Sequence, residues 1–227
     1  MTHPLVAPLR GGLIVSCQAY PGEPMRHPET MAQVAAAVVD GGAVAVRAQG
    51  LADVQLVAGR VQVPVIGIWK DGDAGVFITP TLRHSRAVLA AGADILALDG
   101  TERERPDGLT LAETVRRVRE ESDAPIMADC DTVASAVAAA EAGADLIGTT
   151  LAGYTDARPK TDGPDLDLLA EVVAALPGVA VVAEGRIHTP AQARAAAEAG
   201  AFAVVVGTAI THPSTITGWF DRALRSS

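Results

Sequence analysis

A short pattern recurs four times along the chain, and it restricts the possible folds more than any other feature. Each copy is an alanine-rich or acidic stretch, a glycine and a short apolar run. The copies are DGGAVAVRA from residue 40, AAGADILALD from 90, EAGADLIGTT from 141 and EAGAFAVVVGT from 198. Glycine is the usual residue just beyond a helix because it adopts the left-handed backbone conformation without strain. Each copy therefore predicts the end of a helix followed by a β-strand.

Four further apolar strands are predicted between these copies, at residues 11–17, 64–69, 124–129 and 179–184. Helical patterns fill the gaps, at residues 29–40, 51–60, 81–91, 109–121, 132–142, 165–176, 190–199 and 214–225. Strands that alternate with helices pair in parallel through right-handed crossovers. Eight such units predict a closed (β/α)8 TIM barrel, an α/β fold that forms one domain over residues 1–227. An open doubly wound sheet is the alternative, but its G-x-G-x-x-G fingerprint is absent after the first strand.

Composition favours the same fold and argues against several partners. Hydrophobic residues make up 49% of the chain and aromatic residues only 3%, so the core must be aliphatic, as in buried parallel strands. The net charge of -9 argues against a nucleic-acid or anionic-membrane surface. No apolar run reaches the ~18 residues of a membrane span, and the first residues lack a signal-peptide pattern. Cys17 and Cys130 form neither a zinc pattern nor a disulfide framework, which favours a cytoplasmic protein.

Polar or charged residues follow nearly every predicted strand. Because the active site of a (β/α)8 barrel lies at the carboxyl ends of its strands, these positions are the first candidates for function. In chain order they are Gln18, Arg47, Lys70, Asp99, Asp129, Thr149–Thr150, Glu184 and Gly207–Thr208. A single charged residue can merely mark where a strand leaves the core. The combination of Arg47, Lys70, Asp129 and Glu184 instead indicates catalysis.

The last two strands carry a second signal, which indicates a phosphate site. Glycines follow both strands in AEGRI (183–187) and VVVGTAIT (204–211), and backbone N–H groups of these two loops often bind phosphate in this fold. Gly185, Arg186, Gly207 and Thr208 are the candidates, with Arg186 as an added cation. The alternative is that the two glycines only allow tight turns.

Weaker candidates lie elsewhere. His84, His188 and His212 lack metal-ligand spacing, so exposed or capping roles are expected and no metal is predicted. Both cysteines are expected to be packing residues. Arg103 or Arg105 is a candidate for reaching a substrate from above the barrel.

The motifs as a set resemble the N-acetylmannosamine-6-phosphate 2-epimerases. The segments that carry the resemblance run in register from about residue 10 to 220, and they are GGLIVSCQAYPGEP, GGAVAVRAQG, PVIGIWK, FITPT, ALDGTERERPDG, MADCDT, GTTLAGYT, VVAEGRIHTPAQA and AVVVGTAIT. The resemblance implies a phosphate-binding barrel without a redox cofactor. It further implies interconversion of N-acetylmannosamine 6-phosphate and N-acetylglucosamine 6-phosphate, a step in bacterial sialic acid breakdown.

The resemblance also implies roles for individual residues. Lys70, Glu184 and Asp129 are then catalytic, and Gln18 and Arg47 contact the substrate. The phosphate loops fall on Gly185, Arg186, Gly207 and Thr208.

Three departures from the family pattern affect the expected specificity. His212 stands where an arginine usually precedes the proline, which implies a weaker or pH-dependent hold on phosphate. The loop WKDGDAGVF lacks the usual arginine and tyrosine, and Asp131 stands where serine is common. The remaining alternatives are a Schiff-base aldolase, another phosphosugar isomerase or epimerase on the same scaffold, and a non-catalytic phosphate binder. A homodimer is compatible with a small barrel, although the sequence indicates no surface for it.

Overall fold

The computed structural model describes residues 3–225, and its centre is a closed barrel of eight parallel strands in chain order. Each strand pairs with the next along the chain, and the last pairs with the first. Labelled β1 to β8, the strands are Leu13–Cys17, Ala45–Gln49, Val65–Ile68, Ile95–Asp99, Ile126–Asp129, Leu146–Gly148, Ala180–Glu184 and Ala203–Val206. The predicted (β/α)8 barrel is confirmed, and the open sheet is excluded because β1 and β8 are joined.

Helices follow the strands, close to the predicted ranges. Labelled α1 to α9, they are Pro28–Asp40, Leu51–Ala58, Leu82–Ala90, Leu111–Arg119, Val133–Glu141, Leu166–Ala175, Pro190–Glu198, Thr208–Thr211 and Pro213–Arg225. A short 3-10 helix, Ala7–Leu9, precedes β1. This turn and α8 were not predicted as separate elements, because three or four residues are too few to show a periodic pattern.

Local sequence signals explain where the helices begin and end. Threonines precede four of them and accept a backbone N–H of the first turn, which satisfies a donor that the helix leaves free; these are Thr81, Thr110, Thr132 and Thr189. The four glycines of the repeated pattern all have φ between 97° and 102°, as the left-handed helix stop requires, and they are Gly42, Gly92, Gly143 and Gly200.

Aliphatic side chains fill the barrel from the amino ends of the strands to its middle. Ile14, Ile66, Ile95 and Leu146 are fully buried in this inner cluster. The absence of a side chain at Gly67 lets α3 approach β3, since a Cβ there would lie 2.7 Å from Cγ1 of Val88. With the interior closed below, polar side chains gather at the carboxyl ends of the strands. No helix within residues 3–225 is long and apolar enough to cross a membrane.

Candidate active site

A cavity of 640 Å³ opens at the carboxyl end of the barrel. Of the nine site residues that the sequence predicts, seven line it, and they are Gln18, Lys70, Glu184, Gly185, Arg186, Gly207 and Thr208. The other two, Arg47 and Asp129, are 1% and 0% exposed and lie beneath its floor. Strand ends far apart in the sequence thus converge on one volume.

Lys70 follows β3 and extends into this cavity. A single antiparallel bridge to Ile78 fixes its backbone where the next loop folds back. Its Nζ donates to Gln18 Oε1 at 2.8 Å, and Gln18 Nε2 in turn donates to Ser16 Oγ at 2.7 Å, so the amide presents its oxygen to the lysine.

The environment of Lys70 makes its ammonium group a much stronger acid than usual. Burial and, after it, the charge of Arg47 lower the pKa of Lys70 to about 8, while Glu184 and Asp129 oppose the change. A neutral amine is therefore accessible near physiological pH, as a general base requires.

Beneath the cavity, Arg47 on β2 joins two carboxylates that come from β5 and β7, across the barrel. Its Nη2 and Nη1 donate to Asp129 at 2.5 and 3.0 Å, and Nη1 also donates to Glu184 Oε2 at 2.8 Å. Thr150 Oγ1 lies 2.7 Å from Asp129 Oδ1 and 3.1 Å from Glu184 Oε2. The guanidinium and the hydroxyl together fix the orientation of the Glu184 side chain.

Glu184 is the only carboxylate of this cluster that lines the cavity. Burial raises the pKa of Glu184, the Arg47 charge opposes this, and the charge of Asp129 adds to it. Its carboxyl group is therefore more basic than an exposed glutamate, and it shares the cavity with the amine of Lys70.

Local geometry favours glycine at both positions of the predicted phosphate loops. Gly185 has φ 116°, which side-chain-bearing residues rarely adopt. At Gly207 a Cβ would lie 3.2 Å from the Cβ of Ser16. Both glycines therefore leave bare backbone at the cavity wall, next to Thr208 at the start of α8.

Arg186 borders the same cavity, but its side chain is engaged elsewhere. Its Nε donates to Gly163 O at 3.0 Å, Nη1 to Ala152 O at 2.7 Å and Nη2 to Thr161 Oγ1 at 2.9 Å. These groups belong to the loop between β6 and α6, so the guanidinium holds that loop. The phosphate role of the Arg186 side chain stays a prediction.

Two of the three histidines are buried, so the expectation of exposure was wrong for them, although Nδ1 of His84 lies 2.6 Å from Oγ1 of Thr81, which caps α3. His84 is 4% exposed because Nε2 lies 3.0 Å from Asp71 Oδ2 and the ring packs against Trp69. His212 is also 4% exposed, with Nδ1 3.2 Å from Glu23 Oε1, and it lines the cavity. A carboxylate partner allows each ring to be buried.

Arg103 and Arg105 do not line the cavity, which contradicts the idea that they reach a substrate. Arg103 Nη2 lies 2.6 Å from Asp99 Oδ2, and Arg105 donates to the carbonyl of Asp99. Both arginines therefore secure the loop after β4. The cysteines are buried as expected, and burial raises the pKa of Cys17 to about 12.

Sequence reasoning missed three residues of the site. Thr150 is a strand-end candidate without a predicted role, and Tyr20 and Tyr154 are not among the candidates, although all three line the cavity. A signal for the tyrosines was present: the chain has only two, and both lie shortly after predicted strands.

The fold and this cavity define the chain as a (β/α)8 barrel enzyme. Comparison with known proteins identifies its family: the chain belongs to the NanE family, whose model, described as putative N-acetylmannosamine-6-phosphate epimerase, matches residues 31–226. A similar protein from Cutibacterium acnes, named putative N-acetylmannosamine-6-phosphate 2-epimerase, is 68% identical over 99% of this chain and 98% of its own.

A solved structure agrees with this assignment. The N-acetylmannosamine-6-phosphate 2-epimerase from Clostridium perfringens superposes with a TM-score of 0.92 at 36% identity, over 97% of this chain and 96% of its own. A thiamine phosphate pyrophosphorylase from Pyrococcus furiosus, at 16% identity and a TM-score of 0.62, shares the fold alone.

Proposed function

We infer that this chain is an epimerase that interconverts N-acetylmannosamine 6-phosphate and N-acetylglucosamine 6-phosphate by removing and returning the proton at C2. Family membership supports the substrate and the reaction. The observation that carries the mechanism is Lys70, a cavity lysine with its pKa lowered to about 8 beside the Glu184 carboxyl group.

The chemistry requires a base at C2 and stabilisation of negative charge at O1. In the open-chain sugar, C2 lies next to the aldehyde, so loss of its proton gives an enolate whose charge develops on the carbonyl oxygen. Neutral Lys70 takes the proton, and the resulting ammonium group lies in the cavity where that charge forms. A proton is then donated to the opposite face of C2, by the Glu184 carboxyl group or by the Lys70 ammonium group itself, and the inversion is complete.

Glu184 acts at the same carbon, because its carboxyl group shares the cavity with the Lys70 amine. With its pKa raised by burial, it assists the proton transfer or orients the C2 substituents. Gln18 contacts the substrate and, through its hydrogen bond with Lys70 Nζ, also directs the amine.

Arg47 and Asp129 act from below the cavity floor. Their burial keeps them from the cavity surface, so the role we propose for Asp129 is to hold Arg47 and, with Thr150, the Glu184 side chain. Arg47 supplies a fixed positive charge under the reacting centre. This assigns both residues to positioning and electrostatics, in place of the catalytic and substrate-contacting roles that the resemblance implies.

The backbone of the loops at Gly185 and at Gly207–Thr208 binds the phosphate in this proposal. Anchoring the far end of the sugar holds C2 against Lys70, so that binding energy contributes to orientation. His212, which directly follows α8, lines the same cavity.

The first experiment is a proton NMR time course with N-acetylmannosamine 6-phosphate in heavy water. The wild-type protein should form the gluco product with deuterium at C2. Lys70→Ala should lose both turnover and exchange, whereas Lys160→Ala, which removes the only other lysine, should retain them. Undiminished exchange in Lys70→Ala would exclude Lys70 as the base, and absence of turnover in the wild type would overturn the substrate assignment.

One alternative reaction uses the same residue. A lysine with a lowered pKa is also suited to forming a Schiff base with a carbonyl substrate. Borohydride added during turnover traps such an adduct by reduction. The epimerase mechanism predicts no covalent labelling of Lys70, and a labelled lysine would favour the aldolase-type reaction.

We also propose that the protein is cytoplasmic and forms a homodimer. Two free, buried cysteines suit a reducing compartment.

Phe220 and Leu224 on α9 are 70% and 87% exposed, which supports an association surface for the homodimer on that helix. Sedimentation velocity of the wild type and of Phe220→Ser/Leu224→Ser tests this, since the double variant should sediment as a monomer.

A further inference from the structure

The chain contains only two lysines and only two tyrosines, and the structure pairs them. Lys70 Nζ lies 5.6 Å from the centre of the Tyr20 ring, and Lys160 Nζ lies 5.0 Å from the centre of the Tyr154 ring. Both distances fall within the ~6 Å at which an ammonium group is attracted to the face of an aromatic ring. The two pairs differ in setting, because Lys70 lies within the active-site cavity whereas Lys160 is exposed.

The Tyr20 ring is held in place by groups on two elements. The backbone N–H of Tyr20 donates to Glu23 Oε2 at 2.6 Å, and the backbone N–H of Glu23 donates to Tyr20 O at 3.1 Å. The other carboxylate oxygen of Glu23 lies 3.2 Å from His212 Nδ1, and the Tyr20 and His212 rings lie 4.9 Å apart. The turn after β1 is thereby tied to the segment after α8, with the tyrosine ring between them.

The groups that act on Lys70 come from several parts of the barrel. Arg47 from β2 disfavours its charge, while Asp129 from β5 and Glu184 from β7 favour it. Gln18 accepts a hydrogen bond from Nζ. Tyr20 is 51% exposed, so its ring contacts the solvent as well as the lysine.

We propose that Tyr20 is a positioning residue, whose ring covers the Lys70 side chain and holds its ammonium group by a cation–π contact. The ring stays uncharged while it does so, because burial and then the neighbouring Tyr154, Glu23 and Glu184 raise the pKa of Tyr20. The contact favours the charged lysine, so it limits how far burial and Arg47 lower the pKa of Lys70.

Replacements at Tyr20 distinguish two effects of the ring on the pKa of Lys70: its electrostatic attraction for the ammonium group, and its exclusion of water from the lysine side chain. Tyr20→Phe keeps the ring face and should leave the titration of Lys70 unchanged. Tyr20→Leu keeps an apolar cover without the ring, so the pKa of Lys70 should fall by about 0.5 pH unit. Tyr20→Ala opens the site to water and should move the pKa of Lys70 in the other direction.

The experiment is a pH titration of the full chain labelled with ¹³C at the lysine ε carbons. Only two side-chain signals are expected, and Lys70→Met assigns them. Lys160 is the internal control, because it is exposed and contacts the ring of Tyr154 and not that of Tyr20. Glu23→Ala, which frees the turn that carries Tyr20, should shift the Lys70 titration in the same direction as Tyr20→Leu but by less.

A Tyr20→Leu titration that coincides with the wild type, or moves to higher pH, would overturn the proposal. The titration does not depend on turnover, so it tests the contact between Tyr20 and Lys70 independently of the proposed function. The importance of that contact for catalysis rests on the proposed function. If Lys70 is the base, the pH profile of kcat/KM shifts with the NMR titration. An NMR shift without a shift in rate supports the Tyr20 contact and contradicts Lys70 as the base.

Discussion

Asp99 and Asp129 end neighbouring strands, and they face each other in the register of β4 and β5. Both are 0% exposed, but their partners differ. Asp99 is bound by its own loop, since it accepts from the N–H and hydroxyl of Thr101 at 2.9 and 2.6 Å and from Arg103. Asp129 is bound across the barrel, by Arg47 from β2 and Thr150 from the segment after β6.

The difference shows that a charged residue at a strand end is not by itself a sign of catalysis. Local partners satisfy Asp99 and stabilise one loop. The partners of Asp129 lie far away in sequence and connect it with Glu184 in the cavity. A buried carboxylate takes part in the site when its partners join several strands.

The largest expected contrast is between Asp129→Asn and Asp99→Asn. Asp129→Asn removes a charge that holds Arg47, so kcat should fall about 100-fold or more, and the buried arginine left with less compensation should cost several kcal/mol of unfolding free energy. Asp99→Asn should cost about 1–3 kcal/mol with kcat nearly unchanged. Turnover at saturating substrate and urea denaturation measure both quantities, and an equal loss of kcat in the two variants would contradict the distinction.

The pH dependence gives the next largest effect. The pKa of Lys70 is lowered to about 8, and the neutral amine is the base, so kcat/KM should rise about tenfold per pH unit below 8 and become level above it. The charge of Asp129 raises the pKa of Lys70, so Asp129→Asn should move this rise to lower pH. Asp99→Asn should leave it in place, and profiles that shift together would show that the two sites are not separate.

A smaller contrast is expected between the threonines that contact the two aspartates, Thr150 at Asp129 and Thr101 at Asp99. Thr150→Val removes the bridge between Asp129 and Glu184, so kcat should fall about tenfold, a loss of one charge-assisted hydrogen bond. Thr101→Val should instead lower the free energy of unfolding by about 1–2 kcal/mol without a change in kcat. Steady-state kinetics with thermal denaturation tests both, and a catalytic loss in Thr101→Val would contradict the assignment.

The smallest effect is expected at Arg103. Its side chain is 30% exposed, and Asp99 keeps both hydrogen bonds from Thr101 when the arginine is removed, so Arg103→Ala should cost about 1 kcal/mol. Substrate binding should be unchanged, because Arg103 does not line the cavity. A rise in KM for N-acetylmannosamine 6-phosphate would restore the earlier idea that this arginine reaches the substrate.

The sequence was sufficient for the barrel because the repeated helix–glycine–strand unit is a local pattern, and each copy folds as its own residues dictate. It also indicated the strand ends that surround the cavity. It could not separate Asp99 from Asp129, since that depends on which distant side chains meet. The burial of His84 and His212 was missed for the same reason: their partners, Asp71 and Glu23, become neighbours only in the folded chain.

The ionic floor of the cavity has a consequence for the energy of the reaction. Arg47 is 1% exposed and both of its Nη atoms are hydrogen-bonded. The guanidinium group therefore keeps one orientation while the substrate reacts. Water molecules around an enolate must reorient as its charge appears, and that reorientation is part of the barrier in solution. The guanidinium group is already oriented when the protein folds, so it does not reorient as the charge of the enolate appears. The free energy of reorganisation is therefore spent in folding and does not add to the barrier of each turnover.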